Sequence, residues 1–114
     1  MVKPINYENI LRRVDDEKAF YFYQDVNMYT GIKVNSLEDF ANTLPTLAVE
    51  VIDFHLKRGD FEKWIKEVLG DETLSNNILK IREKGLVGEE AKKQLIRVVS
   101  RRLRELRKKV IGKI

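Results

Sequence analysis

Residues 54–71 read FHLKRGDFEKWIKEVLGD, and the way this stretch turns back on itself decides the fold. It holds the only histidine of the chain, His55, and the only tryptophan, Trp64. Two Gly-Asp pairs, Gly59-Asp60 and Gly70-Asp71, punctuate it. Gly59 can end a helix in the left-handed backbone conformation at no side-chain cost. Asp60 then suits the cap of a following helix, where a carboxylate accepts a backbone N–H and meets the positive end of the helix dipole. Gly70 and Asp71 repeat the device. Between them Phe61, Trp64, Ile65 and Val68 recur at three- and four-residue steps and share one helical face, while Glu62, Lys63, Lys66 and Glu67 cover the other. So short a turn makes the two helices diverge, and Phe61 and Trp64 are expected to fill the corner near Phe54.

The pattern Phe54-His55-Leu56, Arg58-Gly59-Asp60-Phe61, Trp64-Ile65, Val68-Leu69-Gly70-Asp71 and Leu74 resembles the signature of a family of small prokaryotic, largely archaeal, domains of unknown function. The preceding aromatic run, Thr30-Gly31 and Ser36-Leu37-Glu38-Asp39-Phe40 are similar as well, so the resemblance covers roughly residues 15–80. It departs at Leu74-Ser75, where the family pattern has Leu-Ala. The resemblance implies a fold and a cytoplasmic prokaryotic setting; it carries no activity, cofactor or binding residue with it.

A chain of 114 residues suits one domain, residues 1–114, with a core of its own. There is no cysteine, which excludes a disulfide framework and thiol chemistry. The opening MVKPINYENI lacks the apolar run of a signal peptide, and no stretch approaches the roughly 18 apolar residues of a membrane span. A cytoplasmic protein without membrane partner is the expectation. Abundant charge with little glutamine leans toward a thermophilic source. The net charge of +4 is uneven: −3 over residues 1–57, zero over 58–88 and +7 over 89–114. The basic character therefore belongs to the last segment.

Along the chain, Ile5, Ile10, Leu11 and Val14 predict a short helix over residues 5–14, with Pro4 in its first turn. AFYFYQ (19–24) predicts a strand, Asp25–Met28 a turn, and Thr30–Val34 the returning strand. The tyrosines of this hairpin are read as core and packing surface, with a base-stacking platform as the alternative. Ser36 and Asp39 form a capping box for the next helix. Pro45 is expected to open a helix running to Arg58, although Val49, Val51 and Ile52 leave a strand as the alternative. A helix from Asp71 to Gly85 and a long one over about 89–111 complete the chain. The fold class is mainly α: a compact bundle of about five to six helices with a small N-terminal β-hairpin at about 19–35.

The last helix carries an apolar stripe of Leu95, Val99, Leu103, Leu106 and Val110, flanked by Ala91, Ile96 and Val98. Opposite it, Lys93, Arg97, Arg101, Arg104 and Lys108 follow at steps of four, four, three and four. Such a basic ridge attracts phosphate backbones, although a solvated face or a contact with an acidic protein surface explains it too. An anionic membrane is disfavoured by the lack of Trp or Phe on this helix. His55 lies near Asp53, Asp60 and Asp71 in sequence, but one histidine without cysteine leaves only carboxylates for a metal site. It is read as structural, as are Asp60 and Asp71. Arg58-Gly59-Asp60 spells an adhesion tripeptide by coincidence, and Glu72, Asn76, Asn77 and Glu83 make the helix pair 61–69 and 72–84 a poor DNA-binding helix-turn-helix. No phosphate loop, nucleophile–base pair or metal cluster is present. The expectation is a non-catalytic, cofactor-free helical domain that works by protein contact, as a homo-oligomer or with a protein partner. A nucleic-acid-binding module using the five ridge cations is the alternative.

Overall fold

The computed structural model describes residues 5–112, and among them the chain is built of six α-helices and one antiparallel hairpin. Helix α1 (Tyr7–Leu11) is capped by Asn6, whose Oδ1 accepts from the Asn9 N–H. It is shorter than the expected 5–14 because Arg12 leaves helical geometry at ψ 155°. Pro4 lies outside the described residues.

Strands β1 (Phe20–Asp25) and β2 (Met28–Val34) follow, joined by Val26 and Asn27. The turn is tighter than expected because Asn27 takes the left-handed conformation, φ 61°, which asparagine tolerates better than most residues. Between the pairs Tyr21–Lys33 and Tyr23–Tyr29 the register shifts. There Phe22 of β1 faces three residues of β2, and Gly31 absorbs the bend at φ +86°. The Thr30 hydroxyl donates to the Phe22 carbonyl at 2.8 Å and accepts from the Ile32 N–H, so it stands in for the interrupted ladder.

Helix α2 (Leu37–Thr43) shows half of the expected capping box: the Ser36 cap forms, but the Asp39 carboxylate reaches back to Asn35 and not to Ser36. Ser36 Oγ accepts the Asp39 N–H, and Asp39 Oδ2 accepts the N–H of Asn35. Pro45 does not open the following helix. It sits in the first turn of a short 3-10 segment, Leu44–Thr46, and α3 (Val49–Arg58) begins three residues later. The β-branched residues of α3 override their strand preference because Val51 and Ile52 are buried together with His55 and Leu56. Gly59 ends α3 at φ 74°, as its composition requires.

Helix α4 (Asp60–Trp64) widens into a π turn at Ile65–Leu69. The Gly70 and Asp71 N–H groups both return to the Ile65 carbonyl, so the amphipathic segment is not one uniform α-helix. Helix α5 (Glu72–Glu83) is capped by Asp71, which accepts the Leu74 N–H at 3.2 Å. Helix α6 (Gly88–Ile111) closes the chain, and the Gly88 N–H at its start is held by the Asp53 carboxylate of α3 at 2.9 Å.

The core has two parts. At one end Phe20, Phe22, Phe40, His55, Phe61 and Trp64 form one aromatic cluster with ring centroids 4.9–6.4 Å apart for the contacting pairs. Such tilted and edge-on contacts add to the stabilisation from area burial. Phe54 joins it only through His55, with ring centroids 5.0 Å apart; it is half-buried, and the Arg58 guanidinium lies 5.0 Å from its ring centroid. At the other end α6 is the pillar against which α1, α2, α3 and α5 pack. Its Ala91, Leu95, Val99, Leu103 and Leu106 are all buried within the single chain.

Candidate functional site

His55 is held at the junction of hairpin and helices. α3 carries it inward, and only 3% of its surface is exposed. Its Nε2 accepts the Tyr23 N–H at 2.8 Å, so Nδ1 bears the proton and donates to Asp60 Oδ2 at 2.9 Å. Burial pushes the imidazole pKa below its ordinary value; the Asp60 hydrogen bond and charge oppose that, and Arg58 adds to it. The neutral ring therefore ties the edge of β1 to the corner between α3 and α4. Asp60 does not cap α4, whose N-cap residue is Gly59 without a side-chain bond. Its carboxylate is already engaged by His55 and by Arg58 Nε at 3.1 Å.

Beside this latch runs an open groove of about 530 Å³, lined by Tyr21, Tyr23, Val26, Phe54, Arg58, Lys63, Trp64 and Val68 among others. The predicted platform is thus divided. Phe20 and Phe22 are core, Tyr21 and Tyr23 form a half-buried wall, and Tyr29 stands exposed against both tyrosines at 5.7 and 5.4 Å. Trp64 is buried and donates from Nε1 to the Lys18 carbonyl at 2.7 Å. Val26, Met28, Tyr29 and Ile32 leave the hairpin with an apolar outer surface.

A second polar centre was not foreseen from the sequence. Arg102 of α6 binds Asp71 through two hydrogen bonds, Nε to Oδ2 at 2.9 Å and Nη2 to Oδ1 at 3.1 Å. Its Nη1 reaches Glu105 at 3.2 Å. Burial alone would lower the guanidinium pKa, but the bonds and charges of Asp71 and Glu105 outweigh it and raise the pKa. The signal was present: Arg102 lies three residues after Val99 and four before Leu106, which puts it on the buried side of the helix. Asp71 is therefore both a cap and the partner of a buried cation.

The five cations of the predicted ridge, Lys93, Arg97, Arg101, Arg104 and Lys108, are all exposed, on the side of α6 opposite its buried stripe. None of them enters an ion pair among the described residues. They lie outside the His55 groove, of which α6 lines no part. Among the described residues no group of three or more His, Asp or Glu side chains is placed to hold a metal ion, and no helix is long and apolar enough to cross a membrane.

No curated protein and no solved structure gives a significant match to the chain. A family model does match, over residues 2–100. That span takes in the hairpin, the His55 latch, the Gly-Asp corners and the first half of α6, so the chain belongs to the family of unknown function DUF5752.

Proposed function

We propose that this chain is a non-catalytic protein-contact domain that self-associates through its hairpin. The observation that carries the reading is the open flank of β2. Its only other neighbouring element of note is α2, at the buried Val34 end, while Met28, Tyr29 and Ile32 remain exposed. A lone two-stranded hairpin is marginal in water and gains from a further partner, and exposed apolar side chains grouped on one element mark contact surfaces. Gly31 bends the strand, so the contact rests on these side chains more than on a continuous ladder. The apolar stripe of α6 is buried in the core of the single chain and offers no contact surface. The non-catalytic part is supported by His55, both of whose ring nitrogens are committed to the fold. A prokaryotic cytoplasmic setting is supported by the cysteine-free, charge-rich composition.

Size-exclusion chromatography with light scattering at micromolar concentration tests the reading. A mass of twice 13.4 kDa is expected for the parent chain. The double variant Met28→Asp with Ile32→Asp should return to the single-chain mass with its helical circular dichroism unchanged. A parent chain that runs as a clean monomer overturns the proposal.

A further inference from the structure

We infer that the outer face of α6, together with the adjoining edge of α5, is a binding surface for the phosphate backbone of double-stranded nucleic acid. This surface is separate from the hairpin, and the inference does not depend on self-association. The charge arrangement is selective. Three of the four other cations of α6 have partners within the fold, Lys109 being the exception: Lys92 donates to the Leu47 carbonyl, Arg102 binds Asp71, and Arg107 meets Glu38 at 3.0 Å. The five ridge cations have none among the described residues. Between Lys93 and Lys108 the sequence holds one carboxylate, Glu105, and Arg102 occupies it. The five ridge cations are thus free of ion pairs, although Glu89 and Glu90 lie beside Lys93 at the start of the ridge and Glu105 lies beside Arg101.

The neighbouring helix extends it. A small groove of about 180 Å³ between α5 and α6 brings Asn77, Lys80 and Lys84 alongside Gln94 and Arg101. Lys80 and Lys84 are exposed as well. The surface therefore combines cations with the Asn77 amide, groups that contact phosphate oxygens without reading sequence, while the Gln94 amide donates to Glu90.

The dimensions fit a duplex. Fifteen residue steps of α-helix from Lys93 to Lys108 span about 22 Å, and a nucleic-acid strand presents a phosphate about every 3.4 Å of duplex axis. A straight helix of that length covers about six phosphates of one strand. Single strands are bound by aromatic stacking as well as charge, and α6 has no aromatic residue. Lipid surfaces call for Trp or Phe at the rim of the apolar face, which α6 lacks too.

Fluorescence anisotropy with labelled mixed-sequence 20-base-pair DNA and RNA duplexes, on the full chain, tests the inference. Binding to either duplex at 50 mM KCl is expected. Neutralising five phosphates gives a slope of about −4.5 in log K against log salt, or roughly a 500-fold loss between 50 and 200 mM. The variant with all five ridge positions changed, Lys93→Gln, Arg97→Gln, Arg101→Gln, Arg104→Gln and Lys108→Gln, should lose most of this affinity and flatten the slope. A control with Lys57→Gln, Lys63→Gln and Lys66→Gln, none of them on α5 or α6, should bind like the parent. Circular dichroism checks that both variants keep their helices. No binding at 50 mM, an unchanged slope in the ridge variant, or tighter binding to polyglutamate or to phosphatidylglycerol vesicles than to either duplex would overturn it.

Discussion

At the scale of single residues, the least replaceable groups are the buried polar ones. His55 accepts from the Tyr23 N–H, and a proton on Nε2 would turn that bond into a clash of two donors. Its pKa is lowered in the fold, so the sign of the pH effect is fixed. Above the unfolded value of about 6.5 the ring is neutral in both states and its contribution is fully present. As pH falls below that value the unfolded chain takes the proton first, and stability drops until the lowered folded pKa is passed. Urea midpoints measured from pH 7.5 down to 5.5 should decline for the parent chain. In His55→Gln that decline should be absent over the same range, with about 1–3 kcal/mol already lost at pH 7.5 through the Tyr23 N–H and the disturbed ring packing. Arg102 poses the opposite problem, because Asp71 is only 1% exposed and Arg102 is the cation bonded to it. Arg102→Met should cost about 3–5 kcal/mol by leaving a buried carboxylate uncompensated. Asp71→Ala should cost at least as much, since it also removes the cap on the Leu74 N–H. Equilibrium urea unfolding measures both.

At the scale of elements, the two Gly-Asp corners look alike in sequence and differ in their surroundings. Both glycines have positive φ, 74° at Gly59 and 83° at Gly70. A β-carbon at Gly70 meets nothing within 4 Å, whereas at Gly59 it meets Glu62 Oε1 at 3.2 Å. Glu62 is held there by Arg82 at 2.7 Å. Gly70→Ala should therefore cost only the backbone strain, about 1–2 kcal/mol. Gly59→Ala should cost more, because it also displaces the Glu62–Arg82 pair. Thermal melts of the two variants rank them, and equal losses would show that strain alone governs both corners. The corner residues Gly59 and Gly70 were legible because only backbone geometry had to be inferred. The role of Asp60 was not, because a carboxylate after a glycine serves as a cap or as a side-chain partner. His55, five residues earlier, and Arg58 decided the matter.

At the scale of the whole molecule, an aromatic end and a helical end share one chain. Trp64 lies in the first, and α6 joins the second to α1, α2, α3 and α5. If the chain unfolds as a single domain, Trp64 fluorescence and far-ultraviolet circular dichroism should give the same denaturation midpoint. Separate midpoints would make the hairpin end an independent unit. Trp64→Ala should lower the midpoint by about 3–5 kcal/mol in stability terms, because the indole is buried and its N–H is bonded.

The sequence by itself determined the element order, the glycine-terminated corners, the inward phenylalanines and tryptophan, and the basic face of α6. These follow from helical and strand periodicity, from the freedom of glycine, and from spacing along one element, all of which are local. Only the tertiary structure decided which polar groups meet across the fold. Asp60 turned to His55, Asp71 received Arg102 from 31 residues away, and Asp53 took the Gly88 N–H from 35 residues away. It also placed the α6 stripe inside one chain and left Met28, Tyr29 and Ile32 of β2 exposed. Partnerships of that kind depend on where separate elements are brought together, and packing of the shared apolar core sets those positions.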